Sequence, residues 1–219
     1  MAGPFRLIVF DLDGTLIDSR RDIADAANAL LESSGADRLP DDRIAAMVGE
    51  GAATLVARAF AASGRDLPPG ALDRFLELYR SRLLAHTRPY AGIPEVLGVL
   101  SKRAPLGLLT NKPLAATREI LHGLGLWNYF FSSETVVGGD GPFPRKPDPS
   151  GLHHIRTVAG IEVHATVLVG DSPIDWRTAR AAQTAICLAR YGFGFQGFPA
   201  GAIEAADRVI DQPAELLSL

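Results

Sequence analysis

Arg6-Leu7-Ile8-Val9-Phe10-Asp11-Leu12-Asp13-Gly14-Thr15-Leu16 decides how the rest of the chain is read: an apolar run breaks into two carboxylates and a glycine turn. Leu7 to Phe10 lack polar alternation and are branched or aromatic, the pattern of a central parallel strand covered on both faces. Ligands of open α/β sheets bind beyond the carboxyl ends of such strands, where Asp11 and Asp13 stand. Alternation along extended chain points both acids one way and turns Leu12 back into the core. Two like charges that close repel. A cation between them would relieve the repulsion, as would a substrate for which one acid is nucleophile and the other proton donor. An ordinary turn with an Asp capping the next helix is the bland alternative. A calcium loop fails on spacing, since it needs glycine at position six and Glu at twelve, whereas Gly14 stands fourth and Asp22 twelfth.

The 219 residues suffice for one core plus an insertion, or for two small domains. A 47% hydrophobic content is that of a globular protein, and a net charge of −3 with interspersed signs offers no basic stripe for nucleic acid. The single Cys187 lies in the apolar run Ala185-Ile186-Cys187-Leu188 and reads as packing. No apolar run reaches the roughly 18 residues that span a bilayer. The N-terminus shows no charged region followed by a cleavable apolar segment. A cytoplasmic protein is expected.

Downstream, Ile23, Ala26, Ala27, Leu30 and Leu31 predict a helix over 20–34, closed by Gly35. Further helices are predicted over 41–48, 52–62 and 70–85, the last with Leu72, Phe75, Leu76, Tyr79 and Leu83 along one face. The region 19–86 holds no convincing strand, so a helical subdomain is inserted there. Within it, Gly49-Glu50-Gly51 is a glycine-flanked turn whose plainest reading is a helix C-cap. From residue 87 strand and helix alternate. Strands are predicted at 106–110, about 135–137 beside Phe130-Phe131, 166–170, 184–188 and 208–210, with helices from Glu95 to Arg103, after Pro113, over 150–159 and after Asp175. The loop 138–149 is too long and too rich in proline to be a mere connector. The expected fold is α/β: a Rossmann-like parallel sheet with helices on both faces, formed by 1–18 and 87–219, carrying an all-helical cap over 19–86.

Three strands thus end in polar sets: Asp11 with Asp13, Thr110 with Asn111, and Asp171 with Asp175. If the strands are neighbours, the sets meet. In order and over its whole length the chain resembles a haloacid dehalogenase superfamily phosphatase. The resemblance is carried by Asp-Leu-Asp-Gly-Thr-Leu at Asp11, Leu-Thr-Asn-Lys at Leu109, Arg-Lys-Pro-Asp-Pro at Arg145 and Gly-Asp-Ser-x-x-Asp at Gly170, with a helical insertion after the first. Gly49-x-Gly51-Ala52, Leu55-Val56-x-Arg58-Ala59, Thr110-Asn111-Lys112-Pro113, Gly138-Gly139-Asp140 and Tyr191-Gly192-Phe193 are similar to signatures of the bacterial phosphoglycolate phosphatase family.

The resemblance implies that Asp11 attacks phosphorus to form an aspartyl phosphate, splitting a hard hydrolysis into two displacements. Asp13 would protonate the leaving alkoxide and then deprotonate water. Asp171, an Asp11 oxygen and the Asp13 main-chain carbonyl would hold Mg²⁺, with Asp175 on the metal or just behind it. Thr110, Asn111 and Lys146 would bind the transferring phosphoryl group. Asp13 argues against the metal-free dehalogenases, which typically lack the second Asp. The phosphonate-cleaving branch needs a cap lysine, and no lysine occurs before Lys102. A β-phosphoglucomutase-like mutase and a catalytically idle phosphometabolite-binding protein remain as alternatives. The implied substrate is a small phosphorylated metabolite, most nearly 2-phosphoglycolate, with no nucleic acid or membrane partner and a monomeric or homodimeric chain. Glu50 departs from the family pattern. Facing inward it would oppose a substrate carboxylate, so it is expected to be turned aside or paired with a basic residue. Arg20, Arg21 and Lys112 are candidate counter-charges for that carboxylate, or plain solvent-facing cations.

Overall fold

The computed structural model describes residues 5–219. The first four residues, part of the expected core segment and of the N-terminus expected to carry no leader, lie outside the described residues. In chain order the structure runs β1 (Leu7–Phe10), β2 (Ile17–Asp18), α1 (Arg20–Ser33), α2 (Asp41–Ala45), α3 (Ala52–Ala62), α4 (Ala71–Arg80) and β3 (Arg88–Pro89). It continues through α5 (Ile93–Leu100), β4 (Leu106–Leu109), α6 (Leu114–Gly123), β5 (Val136–Val137), α7 (Ser150–Ala159), β6 (Thr166–Gly170), α8 (Pro173–Ala181), β7 (Ala185–Ala189) and β8 (Arg208–Ile210). Short 3₁₀ turns fill several connections.

Six strands form one sheet in the order β5-β4-β1-β6-β7-β8, every pair parallel. The unbroken apolar run of β1 follows from its place at the centre, because a parallel strand inside such a sheet buries both faces. Ile8 and Phe10 pack on the side that holds Ile93 and Leu97 of α5 and Ile120 and Leu121 of α6. Leu7 and Val9 pack on the other, against Leu152 and Ile155 of α7 and Ala179 of α8. All four β1 residues are buried. Burial on this scale is worth about 1.5–3 kcal/mol per large side chain.

The two strands bonded to β1 are β4 and β6, which end in the other two polar sets, so the sheet order brings all three sets to one edge. Between β2 and β3 stand α1 to α4, and these two strands pair antiparallel, Ile17 opposite Pro89 and Asp18 opposite Arg88. The chain thus leaves for the helical insert and returns through one short ribbon. The apolar faces of the insert, including Ile23, Leu31, Phe60 and Phe75, continue into the same core as Phe10 and Leu97.

Some boundaries differ from the pattern reading. The helix expected over 41–48 ends at Ala45, where Met47 N–H bonds Ile44 O and Val48 N–H bonds Ala45 O, three-residue closures that tighten the chain into turns. That expected over 70–85 begins at Ala71, because Gly70 adopts φ +73, and it ends at Arg80 in similar turns. The helix expected over 95–103 runs Ile93–Leu100 and the strand expected at 184–188 runs Ala185–Ala189. Phe130 and Phe131 form no strand; a 3₁₀ turn precedes them and Phe131 is exposed. No helix among the described residues is long and apolar enough to cross a membrane.

Candidate active site

Asp11 follows β1 directly, and its N–H completes the ladder by bonding Val169 O at 2.8 Å. Its carboxylate meets Lys146 Nζ at 2.7 Å, and the same ammonium lies 2.6 Å from Asp175 Oδ1. Lys146 reaches this place from the proline-rich loop because Asn111 grips its backbone: Asn111 Oδ1 accepts the Lys146 N–H at 2.8 Å and Nδ2 donates to Lys146 O at 3.0 Å. The second Nδ2 hydrogen goes to Gly49 O in the helical insert at 2.9 Å. The Asn111 side chain lies on the cavity wall with its oxygen and both amide hydrogens engaged by backbone groups of Lys146 and Gly49. Thr110, buried beside it, accepts the Lys112 N–H at 3.2 Å and lines the same cavity as Asp11.

Asp171 leaves the end of β6 and Asp175 lies in the first turn of α8. One Asp175 oxygen closes a capping box, accepting from Ser172 N–H at 3.1 Å and Ser172 Oγ at 2.6 Å, which leaves the other for Lys146. Asp171 Oδ2 accepts the Gly194 N–H at 2.7 Å. The chain crowds this carboxylate from two sides. A Cβ on Gly14, whose φ is +88, would lie 2.0 Å from Asp171 Oδ2, and one on Gly192 would lie 2.3 Å from Asp171 Cβ. Glycine is required at both positions for steric reasons.

Asp11, Asp171 and Asp175 are all buried, and an oxygen from each lies within 4.8 Å of the others. Three carboxylates share one ammonium, Lys146, an excess of negative charge in a dry place. Burial pushes Asp11 up to about 7, with Lys146 pulling the other way and Asp175 adding to the rise. Asp171 is driven well above the usual carboxylate range by burial and by the same two acids. Oxygen donors of this kind suit a hard divalent cation, which would restore the ionised forms.

Asp13 faces the same cavity but stands apart from the trio. Its carboxylate takes both oxygens' bonds from Lys112 Nζ, at 2.8 and 2.9 Å, and a further one from Ser19 Oγ at 2.5 Å. Burial works against the charge on Lys112, but the Asp13 carboxylate outweighs it and the ammonium is held more firmly than usual. The repulsion between neighbouring acids is therefore met by two lysines from two loops. Lys112 is not a solvated cation: it is buried against Asp13. Its signal was its place in Thr110-Asn111-Lys112-Pro113 at a strand end. Ser19 gave no signal in the sequence, and Tyr79 was read as one residue of an apolar helix face.

Above these groups lies a cavity of about 290 Å³, walled by Asp11, Asp13, Thr110 and Lys112 on the sheet side and by Leu55, Phe75 and Tyr79 of the insert. This suits a small metabolite. Gly49 and Gly51 line it, while Glu50 between them is bonded by Arg58 Nη2 at 2.7 Å and is not part of the wall. Arg20 is tied to Asp18 at 2.6 Å and Arg21 stands 3.9 Å from Asp25, so neither serves the cavity.

A family model for haloacid dehalogenase-like hydrolases matches residues 8–189. The chain is 40% identical over 197 residues to phosphoglycolate phosphatase of Rhodospirillum rubrum, covering 86% of this chain and 80% of the relative. It is 36% identical over 220 residues to phosphoglycolate phosphatase of Chromobacterium violaceum, covering 98% and 96%. A crystal structure described as a predicted phosphoglycolate phosphatase from Haemophilus somnus has a TM-score of 0.87 at 26% identity, over 99% of this chain and 98% of the other.

Proposed function

The chain belongs to the haloacid dehalogenase-like hydrolase family, and from that premise we propose that it hydrolyses a small phosphomonoester, 2-phosphoglycolate, to glycolate and phosphate through an aspartyl phosphate on Asp11. The observation that carries this reading is the meeting of Asp11 with Lys146, Asp171 and Asp175 at one sheet edge, with Asp13 held beside them. In it, residues 19–86 are the cap and 1–18 with 87–219 the catalytic core, and the protein acts in the cytoplasm.

Asp11 attacks phosphorus from the end of a rigid central strand. Lys146 neutralises charge on the phosphoryl oxygens and keeps the nucleophile aimed, while the Thr110 hydroxyl and the Asn111 main-chain N–H add donors. Asp13, entering the first displacement as the neutral acid, gives its proton to the leaving alkoxide, and as the carboxylate so formed it takes one from the water that attacks the acyl phosphate. Lys112 and Ser19 hold its carboxylate against the cavity wall for both tasks. Asp11, Asp171 and the Asp13 carbonyl, with Asp175 beside them, would hold Mg²⁺, which supplies charge neutralisation for the transferring group.

The test is phosphate release from a panel of small phosphomonoesters, with chelator and with Mg²⁺ restored. The parent is expected to be inactive after chelation, to recover with Mg²⁺, and to turn over 2-phosphoglycolate best. Asp11→Asn is expected to remove turnover at least a thousandfold, on the order of 4 kcal/mol of barrier. Activity within tenfold of the parent in undeamidated Asp11→Asn would sink the nucleophile.

A further inference from the structure

We propose that the chain also hydrolyses phosphomonoesters of short apolar alcohols, whose hydrocarbon tail is taken by the wall of the cavity above Asp11 and Asp13. The proposal rests on the phosphatase reading above and goes beyond its substrate, since 2-phosphoglycolate leaves that wall unused.

The floor of the cavity holds the groups that act on phosphorus and on the leaving oxygen: Asp11, Asp13, Thr110, Asn111 and Lys112. The wall above them is built of hydrocarbon. The insert supplies Val48, Ala52, Leu55, Phe75 and Leu76, and α6 supplies Ala116. The cationic and amide side chains of the floor are not free to turn toward that wall. Lys112 spends its donors on both oxygens of Asp13 and on the Tyr79 hydroxyl, which is itself shut off from the cavity. The Asn111 amide is engaged by backbone groups at its oxygen and at both hydrogens. The remaining charged groups that line the cavity, Arg80 and Glu119, have side chains 81% and 50% exposed and face each other at 3.9 Å, so they belong to its solvent side. Glu50 is held outside the wall by Arg58.

Whatever leaves phosphorus enters this space, because Asp13 must reach the bridging oxygen while Asp11 attacks from the strand end. A sugar would set hydroxyls against side chains that offer them no partner, at a cost in desolvation. A second charged group would find no free cation there. An alkyl tail loses only water and gains contact, about fourfold in affinity for each methylene fully buried. The volume of about 290 Å³ gives room for a tail of several carbons. In the reaction Asp11 attacks phosphorus, the bond from phosphorus to the alcohol oxygen breaks, and neutral Asp13 passes its proton to that oxygen. Water then attacks the acyl phosphate, gives its proton to Asp13 and releases phosphate, so the free alcohol and phosphate are the products.

Ethyl and butyl phosphate present leaving alcohols of nearly equal acidity, so a difference between them reports the tail and not the bond broken. With Mg²⁺ the full chain is expected to hydrolyse butyl phosphate about tenfold more efficiently in kcat/KM than ethyl phosphate. The gain should lie in KM, because the tail is held alike before and in the transition state. Calorimetric titration with propylphosphonate and pentylphosphonate, their non-hydrolysable counterparts, is expected to give a similar ratio of affinities and a more negative heat-capacity change for the longer ligand. Ala116→Leu, which fills the cavity from α6, is expected to bring the butyl-to-ethyl ratio near one. Leu76→Asn, which sets an amide on a half-buried part of the wall, is expected to shrink it about threefold. A parent ratio near one in hydrolysis, or a ratio within twofold of the parent in both variants, overturns the proposal. Tighter binding of the longer phosphonate without hydrolysis of butyl phosphate overturns it as well. Assay of 2-phosphoglycolate beside the pair separates the two readings. Hydrolysis of butyl phosphate at the expected ratio with 2-phosphoglycolate left intact keeps the proposal and loses the phosphoglycolate reading; turnover of 2-phosphoglycolate with a ratio near one does the reverse.

Discussion

Asp11 is the residue at which burial and charge work hardest against each other. In metal-free protein its carboxyl is raised from 3.8 to about 7, burial being the main cause. The folded state therefore binds a proton that the unfolded chain has already released between roughly pH 4 and pH 7. With the folded value above the unfolded one, this carboxyl favours folding at low pH and progressively less as pH rises through that window. Asp11→Asn has no such group. In chelator, the stability of Asp11→Asn relative to the parent is expected to grow between pH 4 and pH 7 by roughly 2–4 kcal/mol and to level off above it. Adding Mg²⁺ to the parent should erase most of the growth. Denaturant midpoints of both proteins at four pH values check this, and a difference flat across the window would show that Asp11 is not held protonated. The sequence showed that Asp11 and Asp13 share a strand end, because alternation is a local property. It did not show which lysine serves which acid. Lys112 and Lys146 arrive from different loops, and only tertiary placement distributes them.

At the scale of elements, the strands that build the site edge were legible and the loops that finish it were not. Leu7–Phe10 and Thr166–Gly170 are continuous branched runs, a pattern that burial on two faces imposes. The ribbon of Ile17–Asp18 with Arg88–Pro89 was not foreseen, since two residues a side carry no periodicity. The loop after β7 shows how much such a connection can do. Tyr191 Oη donates to Thr15 O at 2.9 Å, Gly194 N–H fixes Asp171, and Gly192 packs against both Asp171 and the Gly14 carbonyl. A methyl at Gly192 would sit 2.2 Å from Gly14 O, so either the loop or Asp171 must move. Gly192→Ala is expected to raise the Mg²⁺ concentration for half-maximal activity about tenfold or more and to cost about 1–3 kcal/mol in stability. A Mg²⁺ titration of activity, run beside a denaturant melt, separates the two effects. Lost stability with an unchanged Mg²⁺ requirement would mean that the loop supports the fold without positioning Asp171.

The whole molecule depends on the helical insert being held over the sheet edge, and one buried carboxylate that the sequence did not single out closes that arrangement. Asp22, in the first turn of α1, is fully buried and accepts from His86 N–H at 2.9 and 3.0 Å, Thr87 N–H at 2.7 Å and Thr87 Oγ1 at 2.7 Å. The donors lie 64 and 65 residues further on, where the chain returns from the insert. Asp22 thus ties the way out to the way back, next to the ribbon. Oδ2 takes all three donors, while Oδ1 shares the His86 N–H. Asn at position 22 keeps the shape but sets its NH₂ against the His86 N–H and replaces charge-assisted bonds from Thr87 with neutral ones. Asp22→Asn is expected to destabilise by about 2–3 kcal/mol, a fall of roughly 5–10 °C in melting temperature. Because the insert and the sheet share one apolar core, the loss should appear as a single shifted transition. Below that transition the wall carrying Tyr79 and Gly49 should sit less firmly over Asp11, so kcat/KM for 2-phosphoglycolate should fall several-fold more than for a minimal phosphoester that the insert barely touches. Thermal melts followed by near-ultraviolet dichroism, with both substrates assayed at 20 °C below the midpoint, decide it. Two separate transitions would show that insert and sheet unfold independently. An equal loss for both substrates would mean that Asp22 supports the sheet edge rather than the placement of the insert above it.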